Sequence, residues 1–267
     1  LRAYTLGVVE RAAGNEIGSI AFLLRAIELD PEFALAAMTL SAVYSNLGES
    51  LRSEEYARLA YEHRDHVTER ERLFIMYQYH DRVTGDAEAI IHALTVLKQS
   101  YPRDRVPPSD LAVVLNRIGR YERAVEEAEE AVRRDPAHLF PYSNLAYAYR
   151  GLSRYDEAKR VAGQAVALGI ETVPTRRLLY QLARLEGDDT AAAEHLGWAA
   201  GKAREFDLVG ARAEMAAFAG RLDASRTLYD QTMEMARLGG FAEVVTAYRA
   251  RRALIEAAYG HVETAAA

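Results

Sequence analysis

The chain has 267 residues, half of them hydrophobic, with no cysteine and a formal net charge of −6. The apolar content suffices for a large core, the absence of cysteine excludes disulfides, thiol nucleophiles and thiolate metal sites, and the negative balance argues against nucleic-acid binding through bulk electrostatics. No apolar run reaches the roughly 20 residues that span a bilayer, and the N-terminus lacks a signal-peptide pattern.

Taken in chain order, the predicted elements are helices separated by a glycine or its substitute. The series is Gly14, Gly48, Gly85, Gly119, Ser153, Gly187, Gly220 and Gly260, with successive spacings of 34, 37, 34, 34, 34, 33 and 40 residues. Self-similarity at this period marks an array of paired helices. A small residue follows five positions after the turn (Ser53, Ala124, Ala158, Ala192, Ser225, Ala265), and the pattern continues with Ala26, Ala60, Ala131, Ala165 and Ala199. After Gly119 the spacing predicts a fourteen-residue amphipathic helix closed by Pro136, with Ala124, Ala128 and Ala131 forming one narrow stripe. No proline falls in a helix interior, where each would cost about 3 kcal/mol, and no segment alternates long enough to form a strand. The predicted units run approximately over 1–33, 34–67, 68–104, 105–138, 139–172, 173–205 and 206–245, with a partial one over 246–267. Extra residues around His66 to Arg72 lengthen a helix or loop, and the last spacing of 40 implies longer helices around Met233 to Ala257. The chain starts at Leu1 and stops in Ala265-Ala266-Ala267, which reads as a fragment of a longer protein.

This pattern resembles the tetratricopeptide repeat. The fifth unit supplies Tyr142, Leu145, Ala146, Tyr149, Ser153, Ala158 and Ala165 at the family's large, small and turn positions. The fourth supplies Leu111, Ala112, Leu115, Gly119, Ala124, Ala131 and Pro136. The resemblance covers essentially the whole chain and implies an all-α, right-handed superhelical α-solenoid of about seven to eight repeats. It also implies an inner groove lined by fixed repeat positions, here Tyr79, Arg82, Asn116, Phe140, Tyr147, Arg150, Arg177 and Arg184. Repeat seven, with Gly210, Glu214 and Ala217, does not continue that basic, aromatic lining. The carboxylate clamp of chaperone-binding members is missing, because Tyr4 and Val8 stand where Lys and Asn are needed. Val67–Phe74, Thr84-Gly85-Asp86 and Tyr101–Asp104 further resemble the repeat region attached to bacterial receptor-like serine/threonine kinases and winged-helix regulators.

Reactive motifs are fragmentary. His63-Arg64-Asp65 spells a kinase catalytic loop, but Arg70 stands where its asparagine belongs and the partner motifs are missing. Gly197–Lys202 is one residue short of a phosphate loop, has Ala203 in place of the hydroxyl residue, and follows no strand. Glu62, His63, Asp65 and His66 include two histidines three apart, yet no third or fourth metal ligand is predictable from sequence. The expectation is therefore a non-enzymatic, cytoplasmic interaction scaffold without cofactor or metal. Arginine forks and rigid tyrosines suit a peptide or protein partner of acidic character. Two alternatives stay open: the arginines pair with neighbouring Asp and Glu to tie repeats together, or the array self-associates to position linked signalling domains.

Overall fold

The computed structural model describes residues 1–12, 15–202, 204–261 and 263. Every regular element among them is helical. The chain forms two compact units, Leu1–Ile118 and Gly119–Ala267.

The first unit holds α1 (Arg2–Ala12), α2 (Glu16–Leu29), α3 (Ala34–Leu47), α4 (Ser50–Glu62), α5 (Glu69–Tyr79), α6 (Ala87–Ser100) and α7 (Val106–Arg117). Consecutive helices pack in pairs, α1 on α2, α3 on α4 and α5 on α6. The turn between α3 and α4 shows how: Gly48 adopts φ +80°, and its N–H and that of Glu49 bond back to the last carbonyls of α3, the left-handed stop that glycine favours. The small residues Ser41 and Ser53 then let the paired helices meet closely, each hydroxyl donating to the other's carbonyl at 2.8 and 2.9 Å. Leu23, Leu40, Val43 and Tyr44 form one buried cluster, and Ala34, Ala37, Ala60 and Ile75 another. The extra residues near His66 form a 3₁₀ turn over Arg64–His66, and Thr68 and Glu71 then start α5 with a reciprocal capping box. At its other end α5 widens into a π-helical turn, His80–Thr84, closed by Gly85 at φ +67°.

The second unit holds α8 (Tyr121–Arg134), α9 (Leu139–Gly151), α10 (Tyr155–Ala167), α11 (Val173–Glu186), α12 (Asp189–Ala199), α13 (Phe206–Phe218), α14 (Leu222–Leu238) and α15 (Ala242–Ala258). The predicted alanine stripe of α8 is buried throughout, as are Ala158, Ala162 and Ala165 of α10. The last two helices run 17 residues each, against 11–14 for the other helices, so the 40-residue spacing is absorbed by helix length. Every described member of the predicted turn series is left-handed; Gly14 and Ala265 lie outside the described residues.

Among the described non-glycine residues Ser153 alone has positive φ, at 58°. A β-carbon in that conformation costs about 1 kcal/mol, and the Ser153 side chain is exposed. Ser153→Gly is expected to stabilise the chain by at most about 0.5 kcal/mol, because the freer unfolded chain offsets most of the relieved strain. Urea unfolding checks this; a lowered midpoint would mean that the hydroxyl itself holds the turn.

Candidate functional site

Within the first unit the expected lining residues sit at the end of α5 and on α7. Tyr79 is covered, its ring stacked on Tyr61 at 3.9 Å with His80 edge-on to both. Arg82 lies in the π-helical turn, its side chain only 14% exposed. Its Nη1 lies 3.9 Å from an Asp81 carboxylate oxygen, and its Nε and Nη1 find no hydrogen-bond partner among the described residues. Asp81 is instead held by Arg117 at 2.8 Å. Asn116 is half-buried on α7. On the same helix lies Asp110, whose carboxyl burial pushes up to about 6, against the pull of its hydrogen bond from the Tyr77 hydroxyl.

In the second unit the expected residues separate into three environments. Phe140, at the start of α9, is 57% exposed and touches only the His138 ring among aromatic partners. Tyr147 and Arg150 face each other one turn apart, the guanidinium 4.6 Å from the ring centre, with a long 3.4 Å contact from Arg150 to Gln181. Arg150 is exposed and carries no carboxylate partner among the described residues. Arg177 differs sharply: one nitrogen donates to both Glu214 oxygens, at 2.6 and 2.7 Å. Burial disfavours the charged guanidinium, but Glu214 more than offsets it and the Arg177 pKa is raised. Gln181 and Arg251 also approach Glu214, at 3.1 and 3.6 Å. Arg184 is bound to Asp189 and lines a separate cleft with Tyr180 and Arg212.

The structure thus brings Tyr147 and Arg177 into one cleft of about 210 Å³, together with Arg204, Asp207, Tyr248 and Arg251. The sequence reading missed these four. Arg251 and Tyr248 lie on α15, beyond the last full repeat, and no repeat position pointed to them. Gly210 gave the one sequence signal: a β-carbon there would meet the Tyr248 ring at 2.5 Å, so its small size serves the packing of α15 on α13. Tyr248 donates to the buried Asp207 at 2.9 Å, and Arg204 donates to the other Asp207 oxygen at 2.8 Å. Three arginines and one aspartate line the cleft, and with Glu214 behind Arg177 and Arg251 the arginines exceed the carboxylates by one, on a chain that is negative overall.

A family model described as tetratricopeptide repeat matches residues 110–138, and a second of the same description matches 142–174. Among solved structures the chain is similar to a tetratricopeptide repeat protein from Parabacteroides merdae, at 11% identity and a TM-score of 0.59, covering 100% of this chain and 98% of that one. It is also similar to PilW, a type IV pilus biogenesis factor (15% identity, TM-score 0.56, 75% and 91% covered). A thermophilic repeat protein of Thermus thermophilus matches at 22% identity and a TM-score of 0.53, over 64% and 91%. No curated protein matches the chain significantly.

Proposed function

We propose that the chain, whose residues 110–138 and 142–174 match the tetratricopeptide-repeat models and whose fold is that of such proteins, is a non-enzymatic scaffold binding an acidic peptide or protein segment. The observation that carries this reading is the basic cleft of the second unit with exposed Arg150 stacked on Tyr147. Arginine offers five donors in a planar fork that fits carboxylates, and tyrosine adds contact area at small entropic cost. Arg177 is spoken for by Glu214, Arg204 is held by Asp207 at 2.8 Å and Arg251 lies 3.6 Å from Glu214, so Arg150 is the charge offered first to a ligand, and the half-exposed Arg204 and Arg251 reach it only by exchanging their partners. Tyr147 and Phe140 supply the apolar contact. By its resemblance to the repeat regions of receptor-like kinases and winged-helix regulators, the array serves as the docking part of a bacterial signalling protein in the cytoplasm. No helix among the described residues is long and apolar enough to cross a membrane.

The test is fluorescence anisotropy with a labelled Asp/Glu-rich peptide. Arg150→Glu combined with Arg251→Glu is expected to weaken binding at least tenfold, since each reversed charge at an interface costs on the order of 1 kcal/mol or more. Raising salt from 50 to 500 mM weakens the wild type in the same direction. Unchanged affinity in the double variant removes the cleft from the account. Self-association, the second reading, predicts instead a concentration-dependent mass by light scattering that the two changes leave alone.

A further inference from the structure

The geometry points to a divalent-metal site of the zinc class in the first unit, formed by Glu32, His63 and His66. The two histidines cap a short 3₁₀ turn, fixed by the His66 N–H donating to the His63 carbonyl at 3.2 Å. In a 3₁₀ turn the side chains at i and i+3 eclipse one another, so both imidazoles stand on one side while Asp65 does not. Glu32 comes from the loop joining α2 to α3, and one ligand atom from each of the three lies within 4.8 Å of the others. His66 Nδ1 and Glu32 Oε2 are 3.3 Å apart. Two ligands bonded to zinc at roughly 2.0–2.1 Å in a tetrahedron are themselves about 3.3–3.4 Å apart, so this edge already has the span a metal requires.

The backbones that carry the ligands are anchored. Val67, next to His66, packs against the buried Ala34, Ala60 and Ile75 cluster, and Ala34 follows Glu32 by two residues. The neighbouring charges are engaged elsewhere: Arg64 donates to the Tyr61 carbonyl and stacks over its ring, Arg72 pairs with Glu69, and the Glu71 carboxylate is held by the Thr68 capping box. Two nitrogens and one carboxylate oxygen suit zinc better than magnesium or calcium, which prefer all-oxygen shells. A fourth position is left to water or to a ligand from a partner. Because Glu32 and His66 are both about two-thirds exposed, the bound ion clips two surface loops together rather than building a core.

Isothermal titration of ZnCl₂ into the untagged full chain at pH 7.5 tests this. We expect one ion per chain, and an affinity at least tenfold weaker in each of His63→Ala, His66→Ala and Glu32→Gln, because even outer-shell changes at metal sites cost about that much. His138→Ala and His261→Ala should bind as the wild type does. Cobalt(II) should give a tetrahedral visible spectrum that His63→Ala abolishes. His63→Ala is the decisive variant, since it leaves the 3.3 Å His66–Glu32 contact intact. No heat of binding, or equal affinity in wild type and all three ligand variants, overturns the assignment; the latter would mean adventitious zinc on scattered histidines. Circular dichroism of each variant establishes that lost binding is not lost folding.

Discussion

Arg177→Met is expected to destabilise the chain by about 3 kcal/mol. It removes one partner of a part-buried ion pair and leaves Glu214 charged between α11, α13 and α15. For a unit of this size that corresponds to a melting temperature lower by roughly 6–12 °C. Arg251 at 3.6 Å and Gln181 at 3.1 Å keep Glu214 from being wholly stranded, which places the effect at the low end of the range for broken buried pairs. The paired change Arg177→Met with Glu214→Leu should recover most of the loss, because removing both charges also removes their desolvation. Calorimetry on the two singles and the double closes the cycle. A single variant within 0.5 kcal/mol of wild type would return Arg177 to the pool of arginines available for a partner.

That experiment bears on a distinction a repeat sequence leaves open. Repeat position 5 told us which face of α11 Arg177 occupies, but position 9 of the next unit, Glu214, decides whether its charge is spent internally. Arg150 occupies an equivalent kind of position and meets Tyr147 and Gln181, with no carboxylate partner among the described residues. The two arginines look alike in sequence because the period describes one unit at a time, whereas an ion pair between successive helix pairs depends on two side chains 37 residues apart.

The turns were legible for the opposite reason. A left-handed residue after each first helix is a local backbone demand, and it showed directly as glycine at Gly48, Gly85, Gly119, Gly187, Gly220 and Gly260. The buried alanine stripes were legible because close helix packing tolerates little else at Ala124, Ala128 and Ala131. What escaped was anything formed where the repeat is irregular. Glu32 meets His63 and His66 only because the 3₁₀ turn inserted before α5 carries the histidines toward the preceding loop. The π-helical turn at His80–Thr84 left no mark in the spacing beyond the 37-residue interval, yet it sets where Arg82 lies. Tyr248 and Arg251 belong to α15, in the partial repeat over 246–267 whose positions were not read for the groove.

Asp110 should make the stability of the chain fall as pH rises through the range in which most carboxylates do the reverse. Its carboxyl is raised to about 6, first by burial, with Asp81 and Asp104 adding and with Tyr77 and Arg82 pulling against them. An unfolded aspartate titrates near 3.9. Between about pH 4 and pH 6 the folded chain therefore keeps a proton that the unfolded chain has released, and each step up in pH favours unfolding. Over the whole window the loss approaches 3 kcal/mol, the free energy of a shift of this size. Paired carboxylates such as Glu256, held below its usual range by Arg226, contribute stability that is present above about pH 4.5 and lost as pH falls, so the total profile mixes both signs. Asp110→Asn isolates the one term. Asparagine keeps the shape and can still accept the Tyr77 hydroxyl, but it cannot ionise. The variant should match the wild type near pH 4 and exceed it by about 2–3 kcal/mol at pH 7.5, in urea titrations run at both values. A difference that stays constant with pH would show that Asp110 is ionised in the folded chain, with Arg82 rather than burial governing its charge.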